Sequence, residues 1–394
     1  MRADSTARRA LRALKVAAFR LLDQGVRACV RKGRSEDTLV LKLDALGDLF
    51  IWFSSGITGV SEYCRGRPGR SLILVRHELV EFVRSLHLFD EVRGLDARKF
   101  LAEPLYRVRE LSALRRRGFR EVLQVRVSRQ FFLEDSIANV VGAPTTRGPV
   151  GDRRNLPASE ATIGDRFYTP LVVIAGNDGH DIDRNALVAE ALIGSGPQRF
   201  ELPVSPDAEK IVPSEAYFVV APGAGWAPRR WPLANFIEIA RRVVAENGPR
   251  CVVVGDQQDR PFGDAVVQGI GQSCIDTCGR LGIHELAEIV RQAQFVVGND
   301  SAVVHIAAYF GVPSVVALGG GHFNWFLPYP ETARGVQSPR VAHLAMSCFG
   351  CNWHCRFGVP REGAVPCLEG LGTEAVWREV EPLLRSRAAA PPQR

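Results

Sequence analysis

The apolar stretches of the first 35 residues of this 394-residue chain are too short and too interrupted to cross a bilayer, and no small-residue cleavage site follows a long apolar run there. Neither a spanning helix nor an export signal is therefore expected. A G-x-G-x-x-G turn is missing after every strand-like run, which argues against a dinucleotide-dependent oxidoreductase. Excess charge is also scarce. The formal charge of +7 is modest for this length, so nucleic acid is not an expected partner. Acidic residues are nearly missing from the first 35 positions, where Asp4 and Asp23 face Arg2, Arg8, Arg9, Arg12, Lys15, Arg20, Arg27, Arg31, Lys32 and Arg34. Without an export signal the cytosol is the expected compartment, and there nine cysteines do not suggest a disulfide framework.

What is present supports two domains. An apolar fraction of 46% is ample for two cores, and 394 residues exceed what one core ordinarily sustains. Residues 1–35 form a basic arm in which Leu11, Leu14, Ala18, Leu21, Leu22 and Val26 fall near helical spacing. Such an amphipathic helix either lies on an anionic membrane surface or packs on the protein's own body. Apolar strands follow at 38–43, 71–75, 92–95 and 121–127, separated by helical patterns near 78–86, 102–117 and 131–141. This alternation predicts right-handed crossovers and a doubly wound sheet over residues 36–195. Residues 144–170 turn polar and rich in Pro, Gly and Arg, 179–194 reads as a helix, and a Pro-bearing linker covers 196–215. A second alternating series fills 216–372, and 373–394 is a C-terminal helix and tail. The expected fold class is α/β, with two Rossmann-like doubly wound domains facing across a ligand cleft.

Three stretches concentrate chemistry at the carboxyl ends of strands, where open parallel sheets bind ligands. In 295–318 a short apolar run meets Gly298, then Asn299, Asp300 and Ser301, and a helix carrying His305. A helix N-terminus there offers unpaired N–H groups and a positive dipole end to a phosphate. Asp300 and Ser301 have a second reading as plain helix caps, and His305 as an interior histidine. In PGAGWAPRRWP, 222–232, the glycines including Gly223 let backbone approach a ligand, and Arg229 and Arg230 offer planar recognition of phosphate oxygens. Trp231 reads as a packing anchor. In DALGDLF, Asp48 stands at the start of a helix, with Asp44 as its rival for any chemical role. A fourth stretch spaces Cys348, Cys351, Cys355 and Cys367 as C-x2-C-x3-C-x11-C. That set is compatible with a tetrahedral structural zinc site or with a reduced loop free of metal.

In this order the motifs resemble glycosyltransferase family 9, the ADP-heptose:lipopolysaccharide heptosyltransferases and their relatives, over residues 38–370. The resemblance implies the GT-B fold. It places the proposed catalytic base on Asp48, the cationic residue of the donor-phosphate loop on Arg229, and the diphosphate-binding signature on Asp300, Ser301, Ala302 and His305. HDIDRNALVAEALIG, CFGCNWHCRFG and PCLEGL also look like parts of this family. Ala302 stands where the family usually has glycine, and Arg229 where it has lysine. The implied activity is inverting transfer of a sugar, heptose first, from a nucleotide sugar to a lipid-linked lipopolysaccharide acceptor at the inner face of the membrane. Other readings are an O-antigen, capsule or exopolysaccharide transferase using another donor, or a non-catalytic relative that binds nucleotide or glycan. No Asp-x-Asp pair stands where a catalytic metal would need it, consistent with metal-independent chemistry that requires no cofactor.

Overall fold

The computed structural model describes residues 2–152, 156–174, 179–194, 196–203, 211–246, 248–333, 335–360 and 362–388. In the first half, β1 (Thr38–Lys42) is buried along its whole length, as apolar strands are when helices cover both faces of a sheet. It pairs in parallel with β2 (Ser71–Arg76) on one side and β4 (Glu121–Gln124) on the other. With β3 (Glu91–Leu95), β5 (Thr145–Pro149) and β6 (Leu171–Val172) the order is β3-β2-β1-β4-β5-β6. The second half repeats this winding with β7 (Tyr217–Ala221), β8 (Arg250–Val253), β9 (Cys274–Asp276), β10 (Val296–Asn299), β11 (Ser314–Ala317) and β12 (Arg340–Ala342). Their order is β12-β11-β10-β7-β8-β9. In each sheet the winding reverses beside the first strand, between β1 and β4 and between β7 and β10. Loops leaving the carboxyl ends at such a reversal diverge and open a crevice.

The chain separates into two compact units whose division does not follow sequence order. Met1–Ala45, Ser55–Asn177 and Arg184–Phe200 make the first, and Leu46–Ser54, Asp178–Asp183 and Glu201–Arg394 the second. The sequence had placed 46–54 and 178–183 within the N-terminal domain, 36–195. Side-chain packing accounts for the difference. Phe50 meets Tyr309 edge-on with ring centroids 5.4 Å apart, and Ile51 and Ile182 share a core with Val304, Ala308 and Val316. The C-terminal helix Thr373–Ala388 is equally integral, burying Val376, Trp377 and Val380 in the main core of the second unit. Residues 204–210 of the expected linker and 389–394 of the expected tail lie outside the described residues.

Strands β5, β6 and β12 were not anticipated. The first contains Gly148 and Pro149, and the other two are only two and three residues long, so propensity and periodicity gave no signal. They are held by pairing with neighbours already in register.

The basic arm is a helix over Arg2–Cys29. Phe19 and Val26 are buried on the first unit, and Asp23 accepts two 2.8 Å hydrogen bonds from Arg107, which also donates to Ser136 Oγ at 2.7 Å. Arg107 is fully buried, so the lone acid on this part of the arm compensates a charge that would otherwise be costly. Packing on the body therefore accounts for the inner face. The outer face leaves Leu14 and Leu21 68% and 67% exposed, beside exposed Lys15 and Arg20, while Arg27 donates to the Asn139 side chain of the body at 2.5 Å. Among the described residues no helix is long and apolar enough to cross a membrane.

Candidate functional site

The winding reversal of the second sheet brings the loop after β7 against the end of β10, and one side chain fastens them. Asn299 is fully buried; its amide donates to the Pro222 carbonyl at 2.7 Å, and its oxygen accepts from the Trp231 N–H at 2.8 Å. Trp231 is anchored in turn, its indole N–H donating to the Leu371 carbonyl at 2.8 Å. Glycine at 223 leaves room for the Asp259 carboxylate, which would have to shift from a Cβ placed 2.2 Å away. The two arginines divide their work. Arg230 donates back to the Ala224 carbonyl at 3.0 and 3.2 Å and shapes the loop. Arg229, at the end of a short turn (Ala227–Arg229), sends Nη2 to the Asp300 carboxylate at 2.5 Å and to the Asp300 carbonyl at 3.0 Å.

The helix Ala302–Phe310 begins at this point, with Ser301 in the N-cap position and extended backbone. Neither predicted cap behaves as one. The Ser301 hydroxyl makes no capping hydrogen bond and is buried without a partner among the described residues, while Asp300 is committed to Arg229. Burial alone would raise the Asp300 pKa, but the Arg229 guanidinium above all, with smaller help from His305 and His322, outweighs it and brings the carboxyl pKa below its usual value. His305 is buried, with Nδ1 2.7 Å from the Tyr329 hydroxyl and Nε2 3.8 Å from Asp300. Burial lowers its pKa to about 4, with Arg229 adding to that effect and Asp300 opposing it, so the imidazole is neutral at physiological pH. Burial and the carboxylates of Asp300, Asp48 and Asp181 keep Tyr329 protonated.

Asp48 reaches this cluster through a helix that belongs to the second unit. It lies half-buried in the first turn of Leu46–Phe53. Gly47 permits the approach, since a Cβ there would sit 3.0 Å from the His305 ring and 3.3 Å from the Ala302 Cα. Asp48, Arg229, Asp300, Ser301, Ala302 and His305 are thus gathered, with Gly223 in the loop behind Arg229. Asp44 belongs to the first unit and is spent. It pairs with Lys42 at 2.7 Å and with Arg126; burial would raise its pKa, but Arg126, Lys42 and Arg76 bring it below the usual value. Three members escaped sequence reasoning: Asn299 as a fastener, Tyr329, and His180, whose ring packs 5.0 Å from that of Tyr329. The segment holding His180 was read as a helix and as part of the family resemblance, with no role given to His180 itself.

The four clustered cysteines line one small cavity with Gly320, Gly321 and other residues. Burial raises the Cys367 thiol pKa, and nearby Cys348 and Cys351 push it the same way. Among the described residues no three Cys, His, Asp or Glu side chains are gathered tightly enough to hold a metal ion.

Residues 171–346 match the model of glycosyltransferase family 9 (heptosyltransferase). The lipooligosaccharide heptosyltransferase 2 of Haemophilus influenzae is 27% identical over 103 residues, 25% of this chain and only 30% of that protein's length. The fold is similar to the structure of E. coli ADP-heptose lps heptosyltransferase II, with TM-score 0.63 and 18% identity over 90% of this chain and 100% of that one. It is also similar to E. coli heptosyltransferase WaaC with ADP-2-deoxy-2-fluoro heptose, with TM-score 0.59 and 17% identity over 88% and 99%.

Proposed function

We propose that this chain is a member of glycosyltransferase family 9, whose model its residues 171–346 match, and that it moves a sugar from a nucleoside-diphosphate sugar to a lipopolysaccharide or related cell-surface glycan, with inversion at the anomeric carbon. Heptose is the first candidate, on the names of the relatives. The observation that carries the proposal is the Gly47 contact, which lays the Asp48 helix against the N-terminus of Ala302–Phe310, beside the Arg229–Asp300 pair. A carboxylate able to take a proton then lies next to a site built for anions.

Asp48 accepts the proton of an acceptor hydroxyl as that oxygen bonds to the anomeric carbon. The bond from that carbon to the diphosphate breaks, and its electron pair leaves on the phosphate oxygen. Arg229 and the N–H groups at 300–302 meet that charge in the part a metal ion plays elsewhere, so the chemistry is metal-independent. The neutral His305 and protonated Tyr329 hold the Asp300 side of the site without adding charge.

Two further parts belong to this reading. The outer face of the N-terminal helix, with Leu14 and Leu21 beside Lys15 and Arg20, suits the anionic inner leaflet where a lipid-linked acceptor resides. Cys348, Cys351, Cys355 and Cys367 are the right donor set for a structural zinc, which would draw the four thiols closer than they stand around their cavity. No step of the transfer runs through it.

A thermal-shift screen against ADP, UDP, GDP and dTDP and their sugars tests the donor assignment, because a ligand that binds the folded state raises apparent stability. ADP and an ADP-sugar are expected to give the largest shifts. No shift with any nucleotide would refute the proposal, and a shift confined to another base would replace the donor.

A further inference from the structure

The tip of the cysteine segment carries an aromatic residue that the proposed transfer does not use. Trp353 lies flat against the loop 319–321, where a Cβ at Gly321 would sit 2.2 Å from the indole and one at Gly319 3.2 Å from it. Phe349 covers Gly320 in the same way, at 2.2 Å. Three successive glycines thus form a bed for two aromatic rings. Backbone hydrogen bonds set the register, from the Gly350 N–H to the Gly320 carbonyl at 2.7 Å and from the Asn352 N–H to the Gly321 carbonyl at 2.9 Å. Asn352 and Trp353 both adopt left-handed backbone, with φ of 48° and 60°. A bulky side chain takes that conformation only when its surroundings over-determine it.

What Trp353 meets is the diphosphate site. The Arg229 guanidinium lies over the indole, 5.2 Å from the ring centroid, and Trp226 packs edge-on to it at 5.9 Å. The neighbouring His322, 3.0 Å from the Asn352 side chain, is close enough to help keep Asp300 ionised. Arg229 is a long side chain with 24% of its surface exposed, and without a second face to rest on it would sample several rotamers. Attraction to an aromatic face restricts that freedom at little desolvation cost.

We propose that Trp353 is a positioning residue of the diphosphate site, holding the Arg229 guanidinium in line with Asp300, and that the four-cysteine segment serves to deliver it. This rests on the reading of Arg229 as a donor-phosphate residue. The strained backbone, the glycine bed and the cysteines on either side of Trp353 then have one purpose, which is to fix an indole over a cation.

Calorimetric titration with ADP tests it. Trp353→Leu is expected to weaken binding about fivefold, the size of a partly desolvated cation–π contact, whereas Trp353→Phe, which keeps an aromatic face, stays within about twofold of the parent. Gly321→Ala must push the indole aside, so it should reproduce the loss in the parent and add nothing in the Trp353→Leu background. A purely structural tryptophan would instead give additive losses, and rescue by phenylalanine would fail. Unchanged affinity in Trp353→Leu, with a clear loss in Arg229→Ala, would overturn this inference alone. No loss in Arg229→Ala would remove the diphosphate reading beneath it. Gly321→Ala differs by one methyl group and supplies the test if Trp353→Leu does not fold.

Discussion

Arg229→Ala is expected to weaken nucleoside-diphosphate binding and, by a separate route, to destabilise the protein in a pH-dependent way. The binding term is a charged hydrogen bond to a phosphate, about 1.5–3 kcal/mol or roughly 10- to 150-fold in Kd. The stability term follows from Asp300, which is 6% exposed and loses its principal counter-charge. Breaking a buried pair costs about 3–5 kcal/mol, and the 24% exposure of Arg229 puts this case near the low end. In the parent the Asp300 pKa is depressed, so its contribution is present above the ordinary carboxylate pKa and is lost as pH falls through the folded value. In the variant burial dominates and raises the folded pKa above the unfolded one. Protonation then relieves the penalty, so the deficit in Tm should be larger at about pH 8 than at about pH 5. Scanning calorimetry at both pH values reads that term, and titration with ADP reads the other. Adding Asp300→Asn should restore much of the Tm and little of the affinity. A Tm deficit equal at both pH values would refute the electrostatic argument, and an unchanged Kd would move the phosphate site elsewhere.

Asp48→Asn should abolish transfer while ADP affinity stays within about twofold, because the base acts on the acceptor; a transfer assay beside a titration reads both, and full activity would exclude Asp48 as the base. Leu14→Asp with Leu21→Asp should reduce co-sedimentation with anionic vesicles without lowering Tm, since both side chains point away from the core. Equal sedimentation of parent and variant would show that this face does not meet the membrane. Anaerobically purified protein is expected to carry about one metal per chain on the clustered cysteines, and a chelator to lower its Tm; metal-free protein by elemental analysis would leave those thiols as a reduced loop.

The buried strands were plain in the sequence because β1, β2, β7 and β10 are nearly continuous apolar runs, and burial on both faces requires such runs. The points where they end were equally readable, since polar and glycine-rich turns mark them. Strands β5 and β12 were invisible because neighbours in the sheet, not their own residues, make them strands. The roles within the site were legible to different depths. Asp48 and Arg229 were singled out as candidates through their motifs, but Asn299 as a fastener and Tyr329 as a partner of His305 depend on contacts distant in sequence. On residue type and position alone Asp44 stayed a rival of Asp48, and only the family resemblance favoured Asp48. Their difference lies in Lys42 and Arg126, which neutralise Asp44, and only folding brings Arg126 there.

The helix Leu46–Phe53 follows a strand of the first unit yet contributes its core-facing side to the second. The chain thus passes from one unit to the other several times before residue 201. For protein engineering this means that the second half is not a free-standing module. A fragment beginning at residue 201 would lack Phe50 and Ile51 and would bare the apolar flank of Val304, Ala308 and Tyr309. Any exchange of halves between related chains must therefore carry residues 46–54 and 178–183 along with the half they complete, not with the strands they happen to follow.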